Sequence, residues 1–298
     1  MYELFHKAIQ LRQQTIDSDT DSIRLFDGGG DGRIDTYLDQ LGDHWLLSTH
    51  DGVVEESILH ALSQFGKSVY WKKLDQHEKE SPSLLTGTPV NSPFTGRENG
   101  LTYQLSFDSG YSQGIFLDQR ENRKRVIELA RPEQRILNTF AYTGAFSVAA
   151  ASSGATTTTL DLSQPYLSWA KENMKLNNLN PEDHYFCKGD TFHWLQRFAK
   201  SGRTFDGIIL DPPTFSRDAK GKVFRVEKDY HRLVKLAKQV LSPEGWILAC
   251  TNCRKLAPWE FEEQLVKGLG ESVSFQALPM PHEYTGEQYL KSYLLRLS

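Results

Sequence analysis

Cysteine is scarce in this chain, with three residues among 298. Three thiols over that length build no disulfide framework, so a reducing compartment, the cytoplasm, is expected. No apolar stretch is long enough to span a bilayer, and no membrane partner is expected. The opening Met1-Tyr-Glu-Leu-Phe-His-Lys7 lacks the basic and apolar regions of a secretion signal. Positive charge is not in excess either: 34 Lys and Arg against 38 Asp and Glu leave a net charge of −4. Proteins that coat duplex nucleic acid are ordinarily basic, so any nucleic-acid contact must come from a local patch. No Gly-Lys-Ser/Thr follows the triple glycine Gly28-Gly-Gly30, which is therefore expected to be a tight turn and not a phosphate loop. Internal repeats and low-complexity tracts are missing. A hydrophobic fraction of 39% does supply core for one large or two modest domains.

Two regions differ in pattern, and the division is expected at 95/96. Residues 1–95 predict a small α+β accessory domain. Leu4, Phe5, Ile9, Leu11 and Ile16 follow an approximately helical spacing, and Arg24 to Arg33 is a turn-rich loop. Ile34–Leu38 and Trp45–Ser48 are strand candidates, Val53–Phe65 a helix, Ser68–Lys72 extended, and His77–Pro93 a linker. From 96 to 298 the pattern settles. Asn99-Gly100 signals a hairpin. Strand candidates Arg135–Thr139, Thr156–Leu160, His184–Cys187, Phe205–Leu210 and Trp246–Thr251 alternate with helices such as Pro165–Leu176 and Glu227–Leu241. Ser272–Leu278 and Tyr289–Leu297 then follow as two strands with no helix between them. Alternating βα units call for a doubly wound, mostly parallel sheet, here seven-stranded with a C-terminal β-hairpin.

Ligands of such sheets bind past the carboxyl ends of the strands. Ile208-Ile209-Leu210 is a short apolar run that suits a buried strand, and the prolines after Asp211 must end it. Asp211-Pro-Pro at that point resembles the fourth motif of class I S-adenosylmethionine (SAM) methyltransferases that act on nucleobases. The first strand leads into Asn138-Thr-Phe-Ala-Tyr-Thr-Gly144. This turn is not Gly-x-Gly-x-x-Gly, which weighs against a nicotinamide enzyme. Asn138, Phe140, Tyr142, Thr143 and Gly144 are expected to receive the cofactor, Gly144 by permitting close backbone approach. Asp161, after the second strand, can accept from ribose hydroxyls, and Asp190, after the third, from the adenine amino group. Each acid also has a plain role open to it, Asp161 as a helix cap and Asp190 as a turn former.

Gly114-Ile-Phe-Leu-Asp-Gln-Arg120, Asn138 to Gly144, Asp211-Pro-Pro-Thr-Phe-Ser216 and Tyr284-Thr-Gly-Glu-Gln-Tyr-Leu-Lys291 are together similar to the bacterial large-subunit rRNA methyltransferases. The resemblance implies a class I methyltransferase using SAM, with no metal, and RNA, specifically rRNA, as partner; a homodimer is compatible with it. One branch of that family makes 5-methylcytosine and another 7-methylguanine. The cytosine branch usually carries an N-terminal PUA module, which this sequence is not expected to hold. Arg120 is expected either to clasp the methionine carboxylate of SAM or to form a surface ion pair.

The acceptor atom stays open between the branches. Cytosine carbon 5 is a poor nucleophile and needs a cysteine thiolate at carbon 6 first. Cys253 matches the position that carries it in the cytosine branch, and Arg254 and Lys255 would favour a thiolate. The frame Thr251-Asn-Cys-Arg-Lys255 is closer to the guanine branch, whose N7 lone pair needs only positioning. Cys250 is expected in the core. Methylation of an exocyclic amine ranks third, because Thr214 displaces Phe215 by one position. The catalytic candidates are thus Asp211 and Cys253. Pro212, Pro213 and Phe215 are expected to hold the base, and Arg217, Lys220, Lys222 and Arg225 the RNA phosphates. Lys235 and Lys238 are expected on a solvated helix face, opposite a buried stripe of Tyr230, Leu233, Ala237 and Val240. An RNA-binding protein that keeps this fold without the chemistry is the remaining alternative.

Overall fold

The computed structural model describes residues 1–74, 80–110, 112–217, 223–270 and 273–297. The chain forms two compact units, Met1–Arg120 with Met280–Gln288, and Glu121–Pro279 with Tyr289–Ser298. This differs from the division expected at 95/96. The first unit keeps the hairpin after Phe94 and the Gly114–Arg120 motif, and it draws in a short stretch from near the end of the chain.

In the first unit, α1 (Tyr2–Thr15) precedes β1 (Ser22–Asp27), β2 (Thr36–Leu41), β3 (His44–Thr49), α2 (Glu56–Ser63), β4 (Val69–Lys73) and β5 (Ser83–Thr86). The five strands form one sheet in chain order, antiparallel except where α2 carries the chain from β3 to its parallel neighbour β4. α1 buries Phe5, Ala8 and Ile9 with Leu25, Phe26, Leu38 and Leu47. β6 (Phe94–Glu98) and β7 (Leu101–Leu105) make a hairpin around Asn99 and Gly100, whose φ values of 51° and 74° are what a two-residue turn requires.

Two expectations need correction here. The loop expected from Arg24 to Arg33 begins as strand β1, because Leu25 and Phe26 are core residues, and only Gly28–Asp31 forms a tight 3₁₀ turn. The linker expected over His77–Pro93 contains β5, an edge strand that pairs with β4; residues 75–79 lie outside the described residues. An edge strand has one neighbour only, so polar residues suffice to build it.

The returning stretch explains one glycine of the triplet. A Cβ on Gly30 would lie 2.4 Å from the Thr285 carbonyl carbon, and the Gly286 amide donates to Asp27 Oδ2 at 2.8 Å. Arg12 donates to both oxygens of Asp31 at 2.8 and 2.6 Å and to the Glu283 carbonyl at 2.9 Å. Nearby, the Lys72 ammonium donates to Gln113 Oε1 at 3.0 Å. Burial pulls the Lys72 pKa down to about 8 and Arg24 assists, against the opposing pull of Asp39.

The second unit runs α3 (Arg120–Leu129), β8 (Arg135–Thr139), α4 (Ala145–Ser152), β9 (Thr156–Asp161), α5 (Gln164–Leu176), β10 (Tyr185–Lys188), α6 (Thr191–Lys200) and β11 (Phe205–Leu210). It continues with β12 (Phe215–Arg217), β13 (Val223–Arg225), α7 (Val226–Lys238), β14 (Leu241–Thr251), α8 (Pro258–Leu269), β15 (Val273–Leu278) and β16 (Lys291–Leu297). The seven-stranded sheet has the order β10-β9-β8-β11-β14-β16-β15; the first five strands are parallel, and β16 alone is reversed, pairing antiparallel with both β14 and β15. This is the expected doubly wound sheet with its terminal hairpin. Ile208, Ile209 and Leu210 are fully buried, as a strand covered on both faces demands, and Tyr230, Leu233, Ala237 and Val240 are buried against the sheet. Strand order reverses between β8 and β11, the switch point where such sheets take their ligands. No helix of the described residues is long and apolar enough to cross a membrane.

Candidate functional site

The carboxyl ends of β9, β8, β11 and β14 lie side by side: Leu160 pairs with Thr139, Thr139 with Leu210, and Leu210 with Ala249. Asn138 to Gly144, Asp161, Asp211 to Phe215 and Cys253 lie at or just past the ends of this row, and Asp190 just past the end of β10. Thr139 Oγ1 donates to the Ile209 carbonyl at 2.7 Å and so links β8 to β11 at the switch point.

The turn after β8 is held in an uncommon shape. Phe140, Tyr142 and Gly144 all have positive φ, at 53°, 50° and 76°. For Phe and Tyr such geometry is strained, and strain of this kind gathers at binding sites. Asp161 holds the turn in place: its Oδ2 accepts from the Tyr142 amide at 2.9 Å, and its Oδ1 from the Ser163 amide at 2.8 Å. Burial pushes the Asp161 carboxyl above the ordinary aspartate range, opposed by backbone hydrogen bonds from Ser163, Tyr142 and Leu162. A carboxylate has about four acceptor positions, so roughly one remains for a ligand hydroxyl. Asp161 is not a helix cap. Ser163 takes that role on α5 by accepting from the Tyr166 amide.

The other predicted cofactor residues divide by geometry. Asn138 donates to Ser147 Oγ at 3.0 Å, and Thr159 Oγ1 donates to the same oxygen at 2.8 Å, so Asn138 is a buried brace beneath the turn. Thr143 is buried, and its carbonyl accepts from Asn173 at 2.9 Å. Gly144 is required by its positive φ and by α5, since a Cβ there would come within 2.6 Å of the Ala170 Cβ. Asp190 caps α6 by accepting from the His193 amide at 2.9 Å through one oxygen. Arg120 belongs to the first unit and makes a buried two-pronged ion pair with Glu283, one contact at 2.8 Å. Both oxygens of Glu283 engage this guanidinium, so the residue is neither on the surface nor set out as a carboxylate clamp.

Sequence reasoning missed two features. The Tyr142 ring stands edge-on to Tyr166 at 4.6 Å and tilted to Trp169 at 6.3 Å, an aromatic wall built from α5; the aromatics were visible in the sequence, their meeting was not. The buried Tyr230 hydroxyl donates to the Leu210 carbonyl at 2.8 Å and lies 3.2 Å from the Cys250 carbonyl, tying the ends of β11 and β14 beside Asp211. Burial pushes its ionisation well up, so it remains a donor.

On the acceptor side, Asp211 follows β11 directly, Pro212 is buried and Pro213 exposed. Phe215 opens the small hairpin of β12 and β13, pairs in register with Arg225, and has the Arg225 guanidinium 5.3 Å from its ring centroid. Arg217 lies on β12, while Lys220 and Lys222 lie outside the described residues. Lys238 donates to the Leu269 carbonyl. Cys253 is 4% exposed and packed in the core cluster of this unit, with its amide on Thr251 Oγ1 at 3.2 Å. Cys250 is buried, as expected.

The donors and acceptors of this row suit a nucleoside cofactor without phosphates. Asp161 keeps acceptor capacity for a sugar hydroxyl, Asp190 has its second oxygen beyond the cap, and no glycine-built pyrophosphate cradle is present in the β8 turn. Residues 60–285 match the model of the S-adenosylmethionine-dependent methyltransferase family. YwbD of Bacillus subtilis, whose name as a ribosomal RNA large subunit methyltransferase is provisional, is 35% identical over 83% of this chain and 65% of its own length. The ribosomal RNA large subunit methyltransferase K of Neisseria meningitidis is 38% identical over 61% of this chain and 50% of its own. The chain therefore spans between half and two thirds of these curated relatives. A solved structure, a SAM-dependent methyltransferase from Streptococcus mutans, also provisionally described, superposes with a TM-score of 0.89 at 28% identity, covering 99% of this chain and 80% of that one.

Proposed function

The chain belongs to the S-adenosylmethionine-dependent methyltransferase family, and from that premise we propose that it transfers a methyl group from SAM to a base of large-subunit ribosomal RNA. The observation that carries this reading is the row at the switch point. A turn anchored by Asp161 stands on one side of it and Asp211-Pro-Pro on the other, joined through Thr139 and Leu210. SAM would supply an activated methyl group carried on a sulfonium. Asp161 would hold the ribose, Asp190 the adenine amino group, and the Tyr142 wall would exclude water beside them. Asp211 would orient the acceptor base, with Phe215 stacking it and Arg225 meeting the backbone. The first unit would serve as the accessory domain that engages the RNA, in the cytoplasm where ribosomal RNA is found.

The burial of Cys253 bears on the acceptor atom. A thiol packed among core side chains is a poor start for attack on cytosine carbon 6. The geometry therefore favours an atom that carries its own lone pair, guanine N7, for which positioning suffices.

The test is nucleoside mass spectrometry of rRNA from a strain lacking the gene. One methylated nucleoside should be missing, and purified protein with SAM should restore it, while Asp211→Asn should not. Identical nucleoside profiles in deletion and parent strains would remove rRNA as the substrate.

A further inference from the structure

Among the described residues of the second unit, four large aromatic side chains are conspicuously exposed: Tyr185, Phe215, Trp259 and Phe275. Their places in the sheet differ. Tyr185 opens β10 at its amino end, and Phe275 lies within the edge strand β15. Only Phe215 and Trp259 follow the carboxyl ends of parallel strands, and those strands, β11 and β14, are neighbours. Phe215 already has a part in the proposed reaction. Trp259 has none, yet it is the most exposed of the four, at 60%.

The segment that presents Trp259 is braced by local hydrogen bonds and burial. Cys253 and Leu256 are buried, the Leu256 amide donates to the Cys253 carbonyl at 3.2 Å, and the Ala257 amide donates to Glu260 Oε2 at 2.6 Å. Pro258 then opens α8, whose Phe261 and Leu265 are buried in the core and leave Trp259 on the outer side. A braced turn thus holds the indole out in water.

The side chains on the same turn indicate what suits it. Arg254 and Lys255 are exposed just before it, with the Arg254 guanidinium 4.7 Å from the Tyr289 ring centroid. Three acids follow on α8 and keep their charge; Glu260 is held in the cap, and Glu262 accepts from the Tyr293 hydroxyl at 2.6 Å. Two cations on the turn that presents a flat apolar ring offer a phosphate partner and a stacking partner together, which describes a nucleotide.

We propose that Trp259 stacks an unpaired nucleotide adjacent to the methylated base, with Arg254 and Lys255 on the flanking phosphates. Phe215 and Trp259 would then hold successive bases of a single-stranded segment past the ends of β11 and β14. This rests on the RNA methylation proposed above and gives its substrate a form: an unpaired stretch and not a continuous duplex.

Two measurements on the full chain test it. In the first, methyl transfer from SAM to protein-free large-subunit rRNA of the deletion strain is followed at varied RNA. Trp259→Ala should raise KM for RNA about tenfold, of the order lost with one stacked base, with SAM affinity unchanged and Trp259→Phe close to the parent. In the second, tryptophan fluorescence is followed as a short unpaired oligoribonucleotide is added; quenching should occur in the parent and largely vanish in Trp259→Phe. If the parent methylates rRNA and Trp259→Ala has the parent KM, the stacking role is overturned. The same holds if Trp259→Ala is impaired only on ribosomal particles, which would point to a protein contact. Should the parent fail to methylate rRNA yet show quenching that depends on Trp259, the stacking site stands and the rRNA substrate falls. Absence of such quenching overturns the stacking site whatever the methylation result.

Discussion

The Asp161 carboxylate accepts the backbone amide of Tyr142 at 2.9 Å, from the end of one strand to the turn that follows its neighbour. One acidic side chain thus serves two purposes. It restrains a turn whose Phe140 and Tyr142 are in left-handed conformations, and it keeps some acceptor capacity for a ligand. Loss of the carboxylate would therefore loosen the turn as well as remove a contact.

Asp161→Ala should weaken SAM binding at least about tenfold, the equivalent of one lost hydrogen bond to a charged acceptor. Calorimetry of the full chain measures it. Because burial raises the carboxyl pKa, SAM affinity should begin to fall on acidification at a pH above the usual ~3.9 for aspartate, as protonation removes the acceptor. Asp161→Asn should lack that pH dependence. An Asn variant that follows the parent at every pH would assign the titration to another group.

Gly144→Ala should destabilise the protein by about 1–3 kcal/mol from its left-handed backbone alone, with the contact to Ala170 added. Ala170→Gly in the same chain should relieve the clash and leave the backbone cost, beside the roughly 0.5–1 kcal/mol that a glycine inside α5 itself costs. Thermal melting of both single variants and the double distinguishes the two, and strictly additive losses would show that the close approach of α5 is unimportant.

Lys72 gives a pH signature. Its folded pKa of about 8 lies below the ~10.4 of an unfolded lysine, so between those values the unfolded chain binds more protons. Stability should rise with pH across that window relative to Lys72→Met, which has no proton to bind there. Denaturant unfolding of both proteins over the window provides the comparison; parallel curves would mean that the ammonium is not desolvated.

Cys253→Ser should keep most of its methyl transfer, and RNA carrying 5-fluorocytidine should not become trapped on the parent protein. A thiolate bonded to carbon 6 could be released only by loss of the carbon 5 proton, and fluorine there cannot leave as one. Trapping that disappears in Cys253→Ser, together with loss of turnover, would reverse the assignment in favour of cytosine. Cys250→Ser should cost mainly core stability, because Cys250 is buried on β14.

Much of this protein is written locally. Ile208 to Leu210 ends in Asp211-Pro-Pro, and the run, the acid and the prolines together specify a buried strand that stops at a ligand edge, whatever surrounds them. Asn99-Gly100 specifies its own turn, and the stripe on α7 its buried face. Such features depend on backbone chemistry and on periodicity, which neighbours in sequence determine. What tertiary structure alone decided involves partners far apart in the chain. The pair of Arg120 with Glu283 took a guanidinium that the sequence offered to SAM, and the approach of Thr285 to Gly30 explained a glycine that looked like a simple turn former. Asn138 became a brace because Ser147 and Thr159 converge on one hydroxyl. Cys253 was packed into the core while Trp259, six residues later, was left in water. Burial is a property of the assembled surroundings, and no spacing rule within a loop determines which of its side chains faces the core.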